Sequence, residues 1–107
     1  MKIQRIETFC RHEVGFVRVT TRDGAIGWGQ VSTYHPDISA LVLHRQVAPW
    51  VLGQDATDID ALVDRVCERE HKFPGSHLYR AIGGVDTALW DLLGRVHGRP
   101  VCELMLD

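Results

Sequence analysis

A polar run of four consecutive residues carries the richest hydrogen-bonding chemistry in the sequence: Ser32, Thr33, Tyr34 and His35. Hydroxyl and imidazole groups donate and accept hydrogen bonds, so this run could bind the hydroxyl groups of a small polar ligand. His12 and Glu13 form a second polar pair earlier in the chain. The alternative for both groups is that they are solvated loop residues, the ordinary role of polar residues between regular elements. All six are therefore candidate binding residues.

Two further clusters lack the spacing that a metal site needs. Cys67, His71 and His77 form the densest group of thiol and imidazole side chains, but they match no zinc pattern, and a closed structural zinc site takes four ligands. A second group is acidic: Asp55, Asp58 and Asp60. It lacks the spacing and the twelfth-position glutamate of a calcium loop, and its expected role is to complement a helix dipole. The sequence predicts no metal or cofactor site in this chain.

Two carboxylates in the long apolar-periodic segment are a possible acid–base pair. Asp86 and Asp91 are five residues apart, which places them ~140° from each other around a helix, so they do not converge on one site. Asp91 can instead pair with Arg95 at the i,i+4 spacing, and we expect both aspartates to be structural anchors. Gly83 and Gly84 in the same helix each cost about 1 kcal/mol relative to alanine, which predicts that a neighbouring element packs closely there.

The elements that must position these residues begin with three predicted strands, in residues 2–10, 15–21 and 25–31. Asp23-Gly24 lies between the second and third strands and indicates a hairpin, because the turn needs a positive φ. Gly27 and Gly29 in the third strand predict that another element packs closely on that face. The three strands together predict an antiparallel meander.

Helices are predicted in the rest of the chain. The first begins near Pro36, with Pro49 interrupting it or opening a short second turn and Gly53 ending it. Residues 57–60 resemble a capping box, with Asp60 in the place of glutamate. The longest helix has one apolar face: Leu78, Ile82, Val85, Leu89, Leu92 and Val96. It ends at Gly98, and residues 100–106 form a last short helical turn.

Length and composition exclude several classes of protein. At 107 residues the chain can form one domain with one modest core. Its net charge of -2 is spread along the chain and gives no case for binding nucleic acid or an anionic membrane. No apolar run approaches the roughly 18 residues of a membrane span, and no secretory signal is visible. We expect a cytoplasmic protein with three reduced thiols that serve as small hydrophobic residues: Cys10, Cys67 and Cys102.

Three segments resemble, in this order, the N-terminal domain of the enolase superfamily of the mandelate racemase and muconate-lactonising type. Residues 17–30 (VRVTTRDGAIGWGQ) are similar to its second hairpin. Residues 81–92 (AIGGVDTALWDL) are similar to its third helix, with the small residues and the Ala-Leu-Trp-Asp run. Residues 98–106 (GRPVCELML) are similar to the segment that leads into the next domain. The resemblance covers essentially the whole chain.

This resemblance implies a capping domain that lies as a lid on a (β/α)₈ barrel. In that family the barrel supplies the carboxylate ligands of Mg²⁺ and the Lys or His bases that remove a proton next to a substrate carboxylate. A barrel needs about 250 residues, so we expect residues 1–107 to be a single capping domain without the barrel, its metal or catalysis of its own. The implied partners are the barrel, in cis or in trans, and a small carboxylate substrate, within a homo-oligomer of the full-length enzyme.

The resemblance also implies where the two polar groups lie relative to the barrel. Residues 32–35 match in position the capping segment that faces the barrel mouth, where Tyr34 and His35 would contact the hydroxyls of a polyol acid. His12 and Glu13 lie in the first loop, a long mobile flap in many relatives, but residues 11–14 leave room only for a short flap or none. Gln30 stands where many relatives carry glutamate.

We therefore expect an α+β domain, a three-stranded antiparallel meander followed by about three helices, that selects substrate for a Mg²⁺-dependent enzyme. The parent reaction would be racemisation, dehydration of an acid sugar or cycloisomerisation. A standalone structural or protein-interaction domain is the alternative, because the sequence shows no convergent catalytic set.

Overall fold

The computed structural model describes residues 1–106 and contains three strands followed by helices. The strands are β1 (Ile3–Arg11), β2 (Val14–Thr21) and β3 (Ile26–Gln30). The helices are α1 (Pro36–Val42), α2 (Ala48–Val51), α3 (Ile59–Arg69), α4 (Ser76–His97) and α5 (Val101–Leu106). This order confirms the predicted α+β architecture, a meander followed by helices. No helix within residues 1–106 has the length and apolar character needed to cross a membrane.

The sheet is an antiparallel meander with β2 in the centre. Arg11 pairs with Val14, so β1 and β2 are joined by a two-residue turn. Between β2 and β3 the backbone N–H of Thr21 donates to the Ala25 carbonyl at 2.9 Å. Gly24 has a φ of +89° in this second turn, the positive value that the Asp-Gly pair predicts. The second hairpin thus follows from the local sequence.

The core lies between one face of the sheet and the helices. Val17 and Val19 of β2 are fully buried, as are Leu89 and Leu92 of α4. Side chains alternate between the two faces of a strand, so Arg18, between these valines, points to the other, outer face of the sheet. Helices cover only one face, as expected when strands and helices are segregated along the chain.

α4 lies along β3 at a distance that only glycine permits. A Cβ atom added to Gly27 would lie 2.0 Å from the Ala88 carbonyl oxygen, and one added to Gly29 would lie 2.1 Å from the Gly84 carbonyl oxygen. Two strand residues advance about 6.6 Å and four helix residues about 6 Å, so strand and helix stay in contact over successive turns. The predicted close packing at these two glycines is confirmed, and α4 is the element that packs there.

The two adjacent glycines inside α4 have different surroundings. A Cβ atom added to Gly84 would lie 2.8 Å from a Val31 methyl group, whereas one added to Gly83 would meet nothing within 4 Å. Successive helix residues are about 100° apart, so only one member of the pair can face the sheet. The prediction of close packing is right for Gly84 and wrong for Gly83.

The first helical segment changes its winding before a proline. α1 continues into a π-helical turn, Leu43–Val47, and then into α2, which carries Pro49 in its first turn. Proline has no backbone N–H to donate to the preceding turn, and a wider turn before it is one way to accommodate that loss. Gly53, with a φ of +81°, follows the end of this segment as predicted.

The predicted capping box before α3 is wrong. Asp58, not Thr57, is the N-cap residue, and its side chain makes no capping hydrogen bond. The Thr57 backbone N–H donates instead to the Asp55 carboxylate at 3.0 Å. A local turn of this kind competes with helix capping for the same backbone donors. The far end of α4 follows its prediction, because Gly98 adopts a φ of +64° directly after the helix.

Two predictions of burial are wrong. Cys10, Cys67 and Cys102 are free thiols, as expected, but all three are exposed rather than packed as small hydrophobic residues. Val96, predicted to extend the apolar face of α4, is 47% exposed. Leu92 already lies against Gly27, next to the first residue of β3, so the last turn of the helix extends past the sheet.

Candidate functional site

The two polar segments predicted from the sequence lie at the same end of the sheet, where β2 begins and β3 ends. The turn of residues 12–13 joins β1 to β2, and β3 runs antiparallel to β2 and so ends beside that turn. The Val31 backbone N–H donates to the Gly15 carbonyl at 2.9 Å. A Cβ atom added to Gly15 would lie 2.7 Å from Pro36 Cβ, so the chain after β3 is pressed against the first hairpin. We call residues 12–13 and 32–35 together the hairpin edge.

The first part of the hairpin edge is a turn with an unusual backbone. His12 and Glu13 are both exposed, and His12 has a φ of +55°. Two-residue hairpin turns require positive φ values, which glycine and asparagine adopt more readily than histidine. As expected, the turn is too short to be a mobile flap. An open hollow of about 560 Å³ lies next to it on the outer face of the sheet.

Ser32 is the hydrogen-bonding centre of the second part. Its side chain is buried, with 6% exposed, and its Oγ donates to the Tyr34 carbonyl at 2.9 Å. The same oxygen accepts from the Tyr34 backbone N–H at 3.1 Å and from Arg80 Nη1 at 2.9 Å. Ser32 is therefore committed to holding the backbone, and it is not free to bind a ligand through its hydroxyl.

The next three residues are exposed. Tyr34 has 68% of its surface open to solvent, and Thr33 and His35 are exposed as well. His35 is the N-cap of α1 in a left-handed conformation, φ +48°, and its side chain does not cap the helix. His12 and His35 are the only non-glycine residues with a positive φ within residues 1–106, and both lie at the hairpin edge. Such backbone conformations are concentrated at functional sites.

A second serine attaches the start of α1 to α4. Ser39 is completely buried, and its Oγ lies 3.0 Å from His77 Nδ1. His77 and Arg80 are three residues apart and so lie on the same side of α4. No sequence motif connects these four residues, because the serines and their partners are 38 and 48 positions apart.

Cys10 lies behind the same edge. Its Sγ donates to the Pro36 carbonyl at 3.5 Å. Burial raises the pKa of the Cys10 thiol, and the nearby Asp37 carboxylate raises it further. A raised pKa disfavours the reactive thiolate, so Cys10 is not suited to be a nucleophile at this edge.

The outer face of the sheet carries an arginine that lies over two neighbouring aromatic rings, whose centroids are 5.7 Å apart. The Arg18 guanidinium lies 5.1 Å from the Phe9 ring centroid and 5.3 Å from that of Trp28. It also donates to Glu7 Oε1 at 2.9 and 3.1 Å. Arg18 thus covers apolar surface while its charge is neutralised by the neighbouring strand. The alternation of β2 could have placed Arg18 on this face, but not its partners.

The two aspartates of α4 have different surroundings. Asp91 accepts the Trp28 backbone N–H at 2.8 Å and Arg95 Nε at 3.0 Å, which is the anchoring role predicted for it. Asp86 lines an open groove between α3 and α4 together with Asp60. Burial raises the pKa of the Asp86 carboxyl, and the negative charge of Asp60 raises it further. Both aspartates also line an open hollow beside α5, but Asp91 already accepts two hydrogen bonds there.

The residues at hand do not fit a magnesium ion. Mg²⁺ requires oxygen ligands at near-octahedral positions, with one or more carboxylates among them. Within residues 1–106 no three Asp, Glu, His or Cys side chains are grouped closely enough to hold a metal ion. At the hairpin edge Glu13 is the only carboxylate, because residues 32–35 contribute none.

The side chains of the hairpin edge are suited to forming hydrogen bonds with small polar molecules. The edge presents a phenol and two imidazoles, with Thr33 and Glu13 beside them, and these groups form hydrogen bonds with hydroxyls and carboxylates. Its left-handed turns and the buried Ser32 hold the backbone in place. Within the described residues the edge pairs no nucleophile with an oriented base, the arrangement that covalent catalysis requires.

Comparison with known proteins identifies the family of this domain. Residues 3–105 match the sequence profile of the mandelate racemase / muconate lactonizing enzyme N-terminal domain. The crystal structure of a Roseobacter denitrificans protein, provisionally called a racemase, aligns with a TM-score of 0.94 and 68% identity over 98% of this chain and 29% of that chain. A mandelate racemase/muconate lactonizing protein from Paracoccus denitrificans PD1222, solved with magnesium, aligns with a TM-score of 0.88 and 35% identity over 97% of this chain and 30% of its own.

A curated relative has a named activity. The D-galactonate dehydratase of Xanthomonas campestris pv. campestris (strain B100) is 33% identical over 108 aligned positions, and the alignment covers 98% of this chain and 28% of the dehydratase. This chain therefore spans less than a third of the length of these relatives. The profile match covers nearly all of the domain, including the three strands and the long helix. The chain belongs to the mandelate racemase / muconate lactonizing enzyme N-terminal domain family of the enolase superfamily.

Proposed function

We propose that this domain is the lid and the substrate-selecting part of an enolase-superfamily enzyme that acts on a hydroxylated carboxylate. Its partner is a (β/α)₈ barrel, joined in cis or bound in trans, which closes against the hairpin edge. Closure excludes water from the reacting groups, and a dry site strengthens the electrostatic stabilisation of an enediolate. In this proposal the domain by itself removes no proton.

The observation that carries the proposal is the convergence of two separate segments at one edge. Residues 12–13 and 32–35 are about twenty positions apart, yet the Val31–Gly15 hydrogen bond of 2.9 Å joins their flanks. Apart from the buried Ser32, their side chains are exposed in this domain, and Tyr34 has 68% of its surface accessible. An exposed polar edge on a rigid scaffold is the usual form of a binding surface.

The substrate class follows from the donors and acceptors. Tyr34, His35 and His12 offer hydroxyl and imidazole groups that match the several hydroxyls of an acid sugar. The D-galactonate dehydratase relative acts on such a compound by its name. We therefore propose acid-sugar dehydration as the parent reaction, with racemisation and cycloisomerisation as the other outcomes that this family's chemistry allows.

The remaining expectations belong to the longer enzyme. The Paracoccus denitrificans relative was solved with magnesium, and we propose that Mg²⁺ is bound by the barrel, since the residues of this domain do not fit it. A homo-oligomeric enzyme and a cytoplasmic location stay predictions from the sequence.

A hybrid enzyme tests the proposal. Residues 3–105 replace the aligned part of the Roseobacter denitrificans relative, chosen because it is 68% identical, and the hybrid is assayed against D-galactonate and other acid sugars. Tyr34→Phe and His35→Ala should each raise KM roughly two- to tenfold, the effect of one lost hydrogen bond, with little change in kcat.

Matched controls lie away from the hairpin edge. Tyr79→Phe changes an exposed tyrosine that lines the groove between α3 and α4, and His97→Ala changes an exposed histidine at the end of α4. Both should keep the KM of the hybrid. Unchanged KM and unchanged substrate preference in both Tyr34→Phe and His35→Ala would refute the role of the hairpin edge in recognition. A hybrid that racemises another carboxylate and converts no acid sugar would refute the substrate class.

A further inference from the structure

We propose that Arg80 is a positioning residue for substrate recognition, because it fixes the 32–35 segment through the buried Ser32. This inference rests on the proposed function for its consequence in the enzyme. Its structural content, that Arg80 sets the geometry of the segment, stands on the contacts of this chain alone.

The first step is the chain of three hydrogen bonds that begins at Arg80. Its Nη1 donates to Ser32 Oγ at 2.9 Å, and that oxygen binds both the N–H and the carbonyl of Tyr34. A serine hydroxyl has one proton and two lone pairs. Donation to the Tyr34 carbonyl uses the proton, and the Tyr34 N–H and Arg80 use the lone pairs. Ser32 is thus fully satisfied only when Arg80 is present.

The burial of Ser32 makes its hydrogen bond from Arg80 difficult for water to replace. Only 6% of Ser32 is exposed, so water does not readily replace a lost guanidinium donor, and an unsatisfied buried oxygen destabilises its surroundings. A donor that carries a charge also forms a stronger hydrogen bond than a neutral one.

Arg80 has no competing partner among the described residues. No carboxylate within residues 1–106 lies within ion-pair distance of its guanidinium, whereas Arg18, Arg95 and Arg5 each have one. An exposed arginine on a helix commonly pairs with an acid one turn away. Arg80 instead reaches a buried serine on another element, which is the behaviour of a residue with a structural task.

The second contact of α4 completes the attachment. His77, one turn before Arg80, lies 3.0 Å through Nδ1 from the Oγ of the fully buried Ser39. The exposed residues Thr33, Tyr34 and His35 lie between the two serines. The segment is therefore fixed to α4 on both sides, and the exposed side chains project from a backbone that cannot rotate freely.

Amide hydrogen exchange in the 107-residue chain tests the positioning directly. The Tyr34 N–H donates to Ser32 Oγ at 3.1 Å and should exchange about tenfold faster in Arg80→Met, the effect of losing the net contribution of one hydrogen bond. Ser32→Ala should have the same or a larger effect, and Arg80→Lys should retain part of the protection. The Val31 N–H, which donates to Gly15, serves as an internal reference that stays unchanged.

Arg95→Met is the matched control, because Arg95 is an exposed arginine on the same helix with only an i,i+4 partner. It should leave Tyr34 exchange at the wild-type rate. In the hybrid enzyme, Arg80→Met should raise KM about fivefold or more with kcat within about twofold, since the lost contact affects one recognition segment. Arg80→Lys should restore part of the KM, a rescue that a general loss of stability would not produce.

Two results would overturn the inference. Unchanged Tyr34 exchange in both Arg80→Met and Ser32→Ala means that Arg80 does not hold the segment. Faster exchange together with an unchanged KM in the hybrid means that it holds the segment without positioning it for substrate. Failure of the proposed function is separately visible, because then Tyr34→Phe and His35→Ala leave KM unchanged while the exchange results in the isolated chain still hold.

Discussion

Replacement of Gly29 by alanine tests the closest contact in the fold. The added Cβ atom would lie 2.1 Å from the Gly84 carbonyl oxygen and 3.0 Å from the Ala88 nitrogen. Both neighbours are backbone atoms of α4, so no side-chain rotation can relieve the contact. Real Cβ atoms keep at least 3.0 Å from such neighbours, and strand and helix must therefore separate by about 0.9 Å.

The expected loss of stability follows from the displacement of α4 from the sheet. Overpacking of a core costs typically about 1–3 kcal/mol, and Gly29 belongs at the upper end because a whole helix must move. In a domain whose total stability is on the order of 5–15 kcal/mol, a loss of about 3 kcal/mol lowers Tm by more than about 10 °C. Gly29→Ala should therefore remain folded at 20 °C but melt far below the wild type.

Gly83 provides the matched control on the facing helix. A Cβ atom there would meet nothing within 4 Å, so Gly83→Ala adds only the better helix propensity of alanine, about 1 kcal/mol. Thermal and urea unfolding followed by circular dichroism should show Gly29→Ala strongly destabilised and Gly83→Ala stabilised. A Gly29→Ala protein that melts within about 2 °C of the wild type would refute the packing argument, whatever Gly83→Ala does.

The remaining predictions concern charge and catalysis. Burial, and then Asp60, raise the pKa of the Asp86 carboxyl, so the stability that protonated Asp86 contributes is present below the ordinary carboxyl pKa and is lost as the pH rises through the raised value. Asp86→Asn should thus melt above the wild type near pH 7 and equal it toward about pH 3; a difference independent of pH would contradict the cause. The isolated chain with Mg²⁺ and D-galactonate in D₂O should incorporate no deuterium next to the carboxylate, and measurable exchange, detected by NMR, would disprove that it is inert.

The order and type of the main elements could be predicted from the sequence because the signals were local. Asp23-Gly24 specified a turn with positive φ, the two glycines of β3 required a close neighbour, and Gly98 ended the long helix. Errors arose where two local signals competed, or where the direction of a side chain was not considered. The Asp55 carboxylate captured a backbone N–H that the capping box needed, and Gly83 was grouped with Gly84 although a helix separates their directions by about 100°.

The candidate site could be predicted only in part. Position along the chain indicated which residues reach the edge, but it did not distinguish Ser32, which is buried, from the exposed residues that follow it. The contribution of Arg80 depends on a contact over 48 positions. Such a pair carries no sequence signature, because any serine and any arginine have the same donors and acceptors. No sequence signal indicated the left-handed conformation of His35 either.

The packing of α4 on β3 and the geometry of the hairpin edge are parts of one arrangement. Gly27 lies against Ala88 and Gly29 against Gly84, so each step of two along the strand matches one turn of the helix. The next turn of the helix brings Arg80 to Ser32. The contact that holds the recognition segment is therefore the continuation of the contacts that hold the core.

If the packing of α4 and the geometry of the hairpin edge are coupled, a change at Gly29 should also affect the segment of residues 32–35. An α-helix moves nearly as a unit over one turn, so a Cβ atom that pushes α4 away at Gly29 also displaces Arg80 from Ser32. Gly29→Ala should then accelerate exchange of the Tyr34 amide at temperatures well below its own Tm, whereas Gly83→Ala should not. Arg80→Met should accelerate the same amide with little change in Tm, since it removes a local contact and leaves the core intact. If Gly29→Ala lowers Tm and leaves Tyr34 protected, the edge is held independently of the sheet, and the coupling argued for α4 is wrong.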